Sequence, residues 1–183
     1  MYAASDLHLI HGGHRGTEAV FGEVAEKHGV GETTISFEGH KMERSKNVEA
    51  LDDDALAKGR VSMDFVFQAM GRRFVRGKGL RRVIHSLFHI VTRGKELFAI
   101  GWIQENGSVR GGTGWGVELA KTFNRPVHVF DQEKEAWFSW DHDEWKASEP
   151  TLPERGKFSA TGTRHLSGAG RQAIEDLFAR SLG

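Results

Sequence analysis

The sequence predicts an α/β protein, a doubly wound and mainly parallel sheet with helices on both faces, folded as a single domain over residues 1–183. Two observations predict the class. Short apolar or β-branched runs at 7–10, 33–37, 97–103, 127–130 and 158–161 are separated by stretches of helical spacing. Glycine-bearing turns follow most of those runs, where open parallel sheets place their ligands. The length of 183 residues suits one sizeable core, and no internal repeat or low-complexity linker divides it.

The elements follow in order. Leu7 to Ile10 read as a short strand running into His11, Gly12, Gly13, His14, Arg15, Gly16, Thr17 and Glu18. Ala19, Val20, Val24 and Ala25 recur at helical spacing, and His28 and Gly29 close that helix. Residues 33–37 are β-branched and aromatic, a second strand ending in Glu38, Gly39 and His40. Residues 41–60 are polar and predict an irregular excursion or a short helix. Met63, Val66, Phe67 and Met70 form one helical stripe, and Leu80, Val83, Ile84, Leu87, Phe88 and Val91 form another. The run 97–103 is a strand, 110–114 a glycine-rich loop, 115–123 a helix and 127–130 a strand. Residues 136–145 suit an antiparallel hairpin or edge strand, and 146–156 a loop with two of the three prolines. Residues 158–161 form a last strand, and Ile174, Leu177 and Phe178 mark a closing helix over about 167–181.

Composition narrows the chemistry. The 25 basic and 25 acidic residues cancel, so long-range attraction to nucleic acid or acidic membranes is not predicted. Absence of cysteine excludes disulfides, zinc–thiolate sites and thiol nucleophiles. No apolar run is long enough to span a membrane, and the N-terminus lacks the pattern of a signal peptide, so a cytoplasmic location is expected. Histidines 8, 11 and 14 alternate across a strand and its loop, and His85 and His89 have no carboxylate between them, so no metal and no cofactor is predicted.

The segment Gly111, Gly112, Thr113, Gly114, Trp115, Gly116, Val117, Glu118 carries the sharpest signal. Glycines between a strand and a helix let backbone N–H groups gather round an anion at the helix N-terminus. Gly12, Gly13 and Gly16 form a second such turn. The bland reading of both is a tight turn needed for helix–sheet packing. Glu118 is a candidate base or ribose ligand, or a plain helix carboxylate. Glu18 and Glu38 hold comparable places, and His11 or His14 could donate hydrogen bonds to a ligand. Arg164, between Thr163 and a helix start, offers a fork of donors suited to phosphate. The basic run Arg72, Arg73, Arg76, Lys78, Arg81, Arg82 reads as a solvated surface or a contact to phosphates. Trp137, Trp140 and Trp145 read as base-stacking groups or as the seal of an apolar edge.

Residues 111–118 resemble the Gly-Gly-x-Gly-x-x-x-Glu part of the Lonely Guy motif, whose family shares the SLOG (SMF/DprA-LOG) Rossmann-like fold. Residues 10–25 also resemble SLOG sequences, and Thr161, Gly162, Thr163 and Arg164 are similar to the Gly-Ser-Arg strand end that opens many members. Here that unit comes last, as in a circular permutation, which places strand 158–161 beside strand 7–10. The resemblance implies a nucleotide ligand held by Gly12, Gly13, Gly16, Gly111, Gly112, Thr113, Gly114 and Thr163. It makes Glu118 the match to the catalytic glutamate for N-glycosidic hydrolysis of a nucleoside monophosphate; the motif does not place the arginine paired with it, for which Arg164 is the candidate by position. Arg110 stands where the motif has proline and Trp115 where it has threonine. A homodimer is also implied. Three functions stay open: a phosphoribohydrolase-type enzyme, a non-catalytic nucleotide-ligand sensor, and a single-stranded DNA-binding module using the basic run.

Overall fold

A computed structural model of the chain describes residues 3–72 and 77–183. Arg73 and Arg76 of the basic run lie outside the described residues.

The first half runs β1 (Leu7–His11), α1 (Thr17–Lys27), β2 (Gly31–Phe37), β3 (Val48–Leu51), α2 (Asp53–Lys58), α3 (Arg60–Ala69) and α4 (Lys78–Arg93). The second runs β4 (Leu97–Gly101), α5 (Gly111–Thr122), β5 (Val127–Asp131), β6 (Ala136–Asp141), β7 (Glu144–Ala147), β8 (Gly156–Gly162) and α6 (Gly168–Leu182). Among the described residues these strands form one 8-stranded sheet in the order β3-β2-β1-β8-β4-β5-β6-β7. Neighbours from β3 to β5 pair in parallel, and β6 and β7 close one edge as an antiparallel hairpin.

The α/β class expected from the strand–helix alternation is what the chain adopts. Strand alternation sends successive side chains to opposite faces. Ile10, Ile35, Ala99 and Val129 pack with Ile84, Ile90, Val117 and Leu119 on the face of α2 to α5. Leu9, Phe98, Ile100 and Phe158 pack with Phe21, Ile174 and Phe178 on the face of α1 and α6. Phe21, Phe98, Phe158 and Phe178 are all fully buried, and burying each such ring stabilises by roughly 1.5–3 kcal/mol. Ser167 caps α6 by accepting from the Gly170 N–H at 3.0 Å, and Asp52 caps α2 through the Ala55 N–H at 2.7 Å.

The last strand lies beside the first, as expected. β8 lies between β1 and β4, with Leu9 opposite Phe158 and Ala99 opposite Thr161. Three local expectations are corrected. Residues 48–51 form an edge strand, which the sequence hides because Val48, Glu49 and Ala50 are all exposed and show no alternation. The hairpin strand β7 runs to Ala147, and β8 begins at Gly156, so the predicted loop 146–156 is shorter at both ends. The helix expected from residue 115 begins at Gly111, because a first helical turn needs no side chain to complete its hydrogen bonds and tolerates glycine there.

Candidate functional site

Winding sets the place of the site. From β1 the chain moves outward through β2 to β3, and from β4 it moves the other way to β5. The carboxyl ends of β1, β8 and β4 therefore open on a crevice where strand order reverses. A cavity of 1280 Å³ lies there. It is walled by the loop after β1, the end of β2, the start of α4, Trp102 after β4, the first turn of α5, and Thr161 to His165 at the end of β8. Arg15, Lys41, Lys78, Arg82, Arg110 and Arg164 line it, against Glu18 and Glu38. Its interior is therefore biased toward anions.

The loops that carry these groups are fastened by specific bonds. The Thr17 N–H and hydroxyl both donate to the Thr163 carbonyl, at 3.1 and 2.9 Å. The Gln132 side chain donates to the His165 carbonyl at 3.2 Å and accepts from the Ser167 N–H at 2.7 Å. These hold Arg164 at the strand end, exposed to the cavity, and among the described residues no acid pairs with it. The Glu43 and Arg44 N–H groups donate to the Gly13 carbonyl at 2.9 and 3.1 Å, drawing the segment after β2 over the first loop and bringing His40 and Lys41 to the cavity. Arg82 donates to the Glu38 carbonyl at 3.0 Å and to Asp53 at 2.9 Å. Arg110 lies 5.7 Å from the Trp102 ring centroid. No side chain caps α5, and Gly111, Gly112 and Thr113 of its first turn, where a helix has unpaired N–H groups, line this space.

Glu18 is the buried carboxylate of the site. It is 2% exposed, and its Oε2 accepts from the His14 N–H and from His14 Nδ1, each at 3.0 Å. The Thr161 hydroxyl donates to its Oε1 at 3.1 Å. Burial opposes its ionisation, but the facing His14 ring and the His14 hydrogen bonds overrule this and hold the carboxyl at about 2. His14 is pushed down by burial and by Arg164, yet Glu18 wins and its pKa is raised. His14 Nε2 lies 2.7 Å from His40 Nε2, and His40 Nδ1 lies 3.2 Å from the Ser36 hydroxyl. His40 stacks on Phe37 at 4.4 Å. Burial, then the charge of His14, lowers His40 to about 4.

A second buried polar cluster lies behind this one. His11 is fully buried; the Gly13 N–H donates to its Nδ1 at 3.0 Å, so Nε2 carries the hydrogen given to Glu32 at 2.8 Å. Arg44 closes on Glu32 and Glu26. Burial would raise Glu32, but the bonds from Arg44 and His11 hold it at about 2.

These shifts fix a pH dependence. Glu18 and Glu32 lie below their unfolded value of 4.5, so their contribution is full above it and is lost as pH falls to about 2. For buried Glu18 alone this amounts to roughly 3 kcal/mol. His40 is lowered, so stability is also lost as pH falls from 6.5 to about 4. His14 is raised, and its contribution, full below 6.5, is lost as pH rises through its folded value. Urea unfolding is expected to give a midpoint that declines from near-neutral pH into acid, with a shallower decline in Glu18→Gln. A midpoint unchanged down to pH of about 3 would contradict the assignment.

The sequence-predicted site residues divide into two groups. Gly111, Gly112, Thr113, Thr163, Arg164, Glu18 and Glu38 line the one cavity. Glu118 does not: it lies seven residues into α5, about 10 Å along the axis from Gly111, and Lys121 donates to it at 2.9 Å. Gly12, Gly13, Gly16 and Gly114 do not line it either. A Cβ on Gly12 would stand 2.9 Å from Glu18 Oε2, and one on Gly114 2.1 Å from the Val109 carbonyl, so both serve close packing. Trp137 is buried in the core, while Trp140 lies under Lys121 Nζ at 3.5 Å, beside Trp145. Trp140 and Trp145 cover the core at the hairpin edge, and none of the three tryptophans lines the cavity. Arg72 donates to the Gly111 carbonyl at 2.8 Å. Among the described residues no cluster of three or more His, Asp or Glu is arranged to hold a metal, and no helix is long and apolar enough to cross a membrane. His40 and Arg110 are site residues that the sequence did not single out; the signal for His40 was its place in a strand-end loop.

No protein-family model and no curated protein matches the sequence. The crystal structure of a protein named "putative molybdenum carrier protein" from Syntrophus aciditrophicus superposes with a TM-score of 0.56 at 12% identity, over 100% of this chain and 97% of that one. The likeness shows a shared Rossmann-like α/β fold.

Proposed function

We propose that the protein binds a phosphorylated nucleotide or nucleotide derivative in the cavity at the carboxyl ends of β1, β8 and β4. The observation that carries the reading is convergence: the uncapped start of α5, the Arg164 guanidinium and the His14–Glu18 pair all border one cavity. A helix N-terminus and a guanidinium fork suit a phosphate. The volume of 1280 Å³ leaves room for a ribose and base beside it. The circularly permuted SLOG resemblance points the same way, and the implied homodimer belongs to the same proposal.

N-glycosidic hydrolysis is the sharper form of this reading. The favouring observation is again the His14–Glu18 pair, an imidazole oriented by a buried carboxylate beside the ligand space. In that form His14 is the acid–base group and Glu18 orients it, with Arg164 on the phosphate. Glu118 takes no part. The DNA-binding reading has weaker support, since Arg72 and Arg82 are engaged with backbone carbonyls.

The test is calorimetry with nucleoside monophosphates, ADP-ribose-type dinucleotide fragments and, because of the structural neighbour's name, molybdate. Gly112→Val is the informative variant, because an added Cβ meets nothing nearer than the Trp115 ring at 3.9 Å. The backbone there accommodates a Cβ, and the cavity wall gains bulk. Gly112→Val and Arg164→Ala are each expected to weaken binding at least about tenfold, the scale of a lost charge-assisted hydrogen bond, with melting temperature unchanged. No binding of any of these compounds by the wild type sinks the proposal. Release of free base, abolished by His14→Ala, would separate enzyme from sensor.

A further inference from the structure

The whole chain carries 25 basic and 25 acidic residues, so a charge imbalance at one place is a local feature. The cavity has one. Arg15, Lys41, Lys78, Arg82, Arg110 and Arg164 line it, against the two carboxylates Glu18 and Glu38. Glu18 is buried and engaged by His14 and Thr161. Arg82 pairs with Asp53 at 2.9 Å, and Arg15 stands 4.0 Å from Glu43. Among the described residues Lys41, Lys78, Arg110 and Arg164 have no ion-pair partner. Arg110 lies over the Trp102 ring at 5.7 Å, a contact that leaves its charge unbalanced. Four different elements supply these four cations: the segment after β2, the first residue of α4, the residue before α5 and the turn after β8.

Like charges gathered round one space repel, and the fold supplies too little opposite charge to offset them. A ligand that brings the missing charge removes that repulsion. A phosphate monoester carries about two negative charges, enough for two of the four unpaired cations. Each further phosphate at the end of a chain adds more. Size agrees with this. The cavity of 1280 Å³ exceeds the roughly 300–1,000 Å³ usual for small-molecule sites, so a longer ligand than a monophosphate fits. Strands β1 and β8 lie between β2, which Lys41 follows, and β4, which Arg110 follows. The unpaired cations are thus carried on both sides of the crevice.

We propose that the ligand is a nucleoside polyphosphate, whose terminal phosphate chain matches these four cations: Arg164 takes the first phosphate, and Lys41, Lys78 and Arg110 neutralise the rest. The inference rests on the nucleotide-binding reading above and deepens it by fixing the charge of the ligand. The side chains of the cavity supply the neutralising charge themselves. A divalent cation riding on the phosphates competes with them for the same oxygens, and it enters a space already rich in positive charge.

Calorimetry in EDTA with the mono-, di- and triphosphates of adenosine and guanosine, and with ADP-ribose, tests this. Affinity is expected to rise at least about tenfold with each added terminal phosphate, the scale of a charge-assisted hydrogen bond. ADP-ribose, whose second phosphate is esterified, should bind like AMP. Magnesium should weaken ATP binding, and sodium chloride should weaken it more steeply than AMP binding. The double variant Lys41→Gln/Lys78→Gln changes two exposed side chains and should keep the wild-type melting temperature. It is expected to lower ATP affinity at least about tenfold and leave AMP affinity unchanged, whereas Arg164→Ala weakens the whole series alike. AMP binding as tightly as ATP, or ADP-ribose binding more tightly than ATP, overturns this inference and leaves the nucleotide site standing. Tighter ATP binding with magnesium overturns it in favour of a metal-bridged phosphate chain. Inorganic tripolyphosphate binding as tightly as ATP, or no binding of any nucleotide, overturns both.

Discussion

Gly16→Ala is expected to lower the melting temperature by about 6–12 °C, corresponding to roughly 3 kcal/mol in a domain of this size. Two causes add. Gly16 has φ 86° and ψ −121°, backbone that only glycine adopts without strain. Its missing side chain also faces the Thr163 and Arg164 carbonyls, each 2.7 Å from where a Cβ would stand. Those are backbone atoms of the loop that presents Arg164, and they cannot swing aside as a side chain could. Gly112→Ala is the control, since φ there is ordinary and nothing crowds the added methyl; its melting temperature should stay level or rise. Scanning calorimetry on both variants decides the matter. If Gly16→Ala melts like the wild type but loses its ligand, the glycine touches the ligand and is not there for packing.

The second large effect separates two glutamates. Glu18→Ala is expected to cost about 3 kcal/mol of stability, the scale of breaking a buried ionic pair. It should also abolish detectable binding, because His14 loses the carboxylate that orients it. Glu118→Ala is expected to cost less than about 1 kcal/mol, since its partner Lys121 is a near neighbour on one helix, and to leave affinity unchanged. Denaturant titration and ligand calorimetry on the two variants read both quantities. A loss of binding in Glu118→Ala with Glu18→Ala intact would return the reacting end to α5.

The two glutamates also explain what the sequence could and could not yield. Each follows a glycine turn after a strand, and a linear reading gives them similar standing. They separate because α1 begins at Thr17, one residue before Glu18, whereas α5 begins at Gly111, seven before Glu118. Helix start is set by which backbone N–H groups stay unpaired, and three glycines leave that undefined from sequence. Strand–helix alternation was legible because Leu9, Phe98, Val129 and Phe158 are buried on faces that the period of two lays out. The place of β8 beside β1 was legible because Thr161 to Arg164 resemble the strand end that opens many SLOG sequences, but its pairing with β4 was not. β3 was not, for its exposed residues carry no pattern. His40 was not, because it reaches His14 only when the Gly13 carbonyl draws in Glu43 and Arg44 across the sheet end.

The central position of β8 has a consequence for how the molecule is made. Of the described strands it leaves the ribosome last, yet it bridges β1 and β4. Until it arrives, β1 to β3 and β4 to β7 are two half-sheets with no strand between them, each holding an exposed inner edge. Leu7 waits for Gly156 and Ile10 for Ser159, so the pairing that joins the halves closes the longest loop in the chain and sets a slow step in folding. Arg164, Thr163 and the Thr161 bond to Glu18 arrive with that strand. A nascent chain stalled before residue 156 therefore has neither a closed sheet nor the cavity wall that β8 supplies, and its open inner edges are where a chaperone, or another half-made copy, would first take hold.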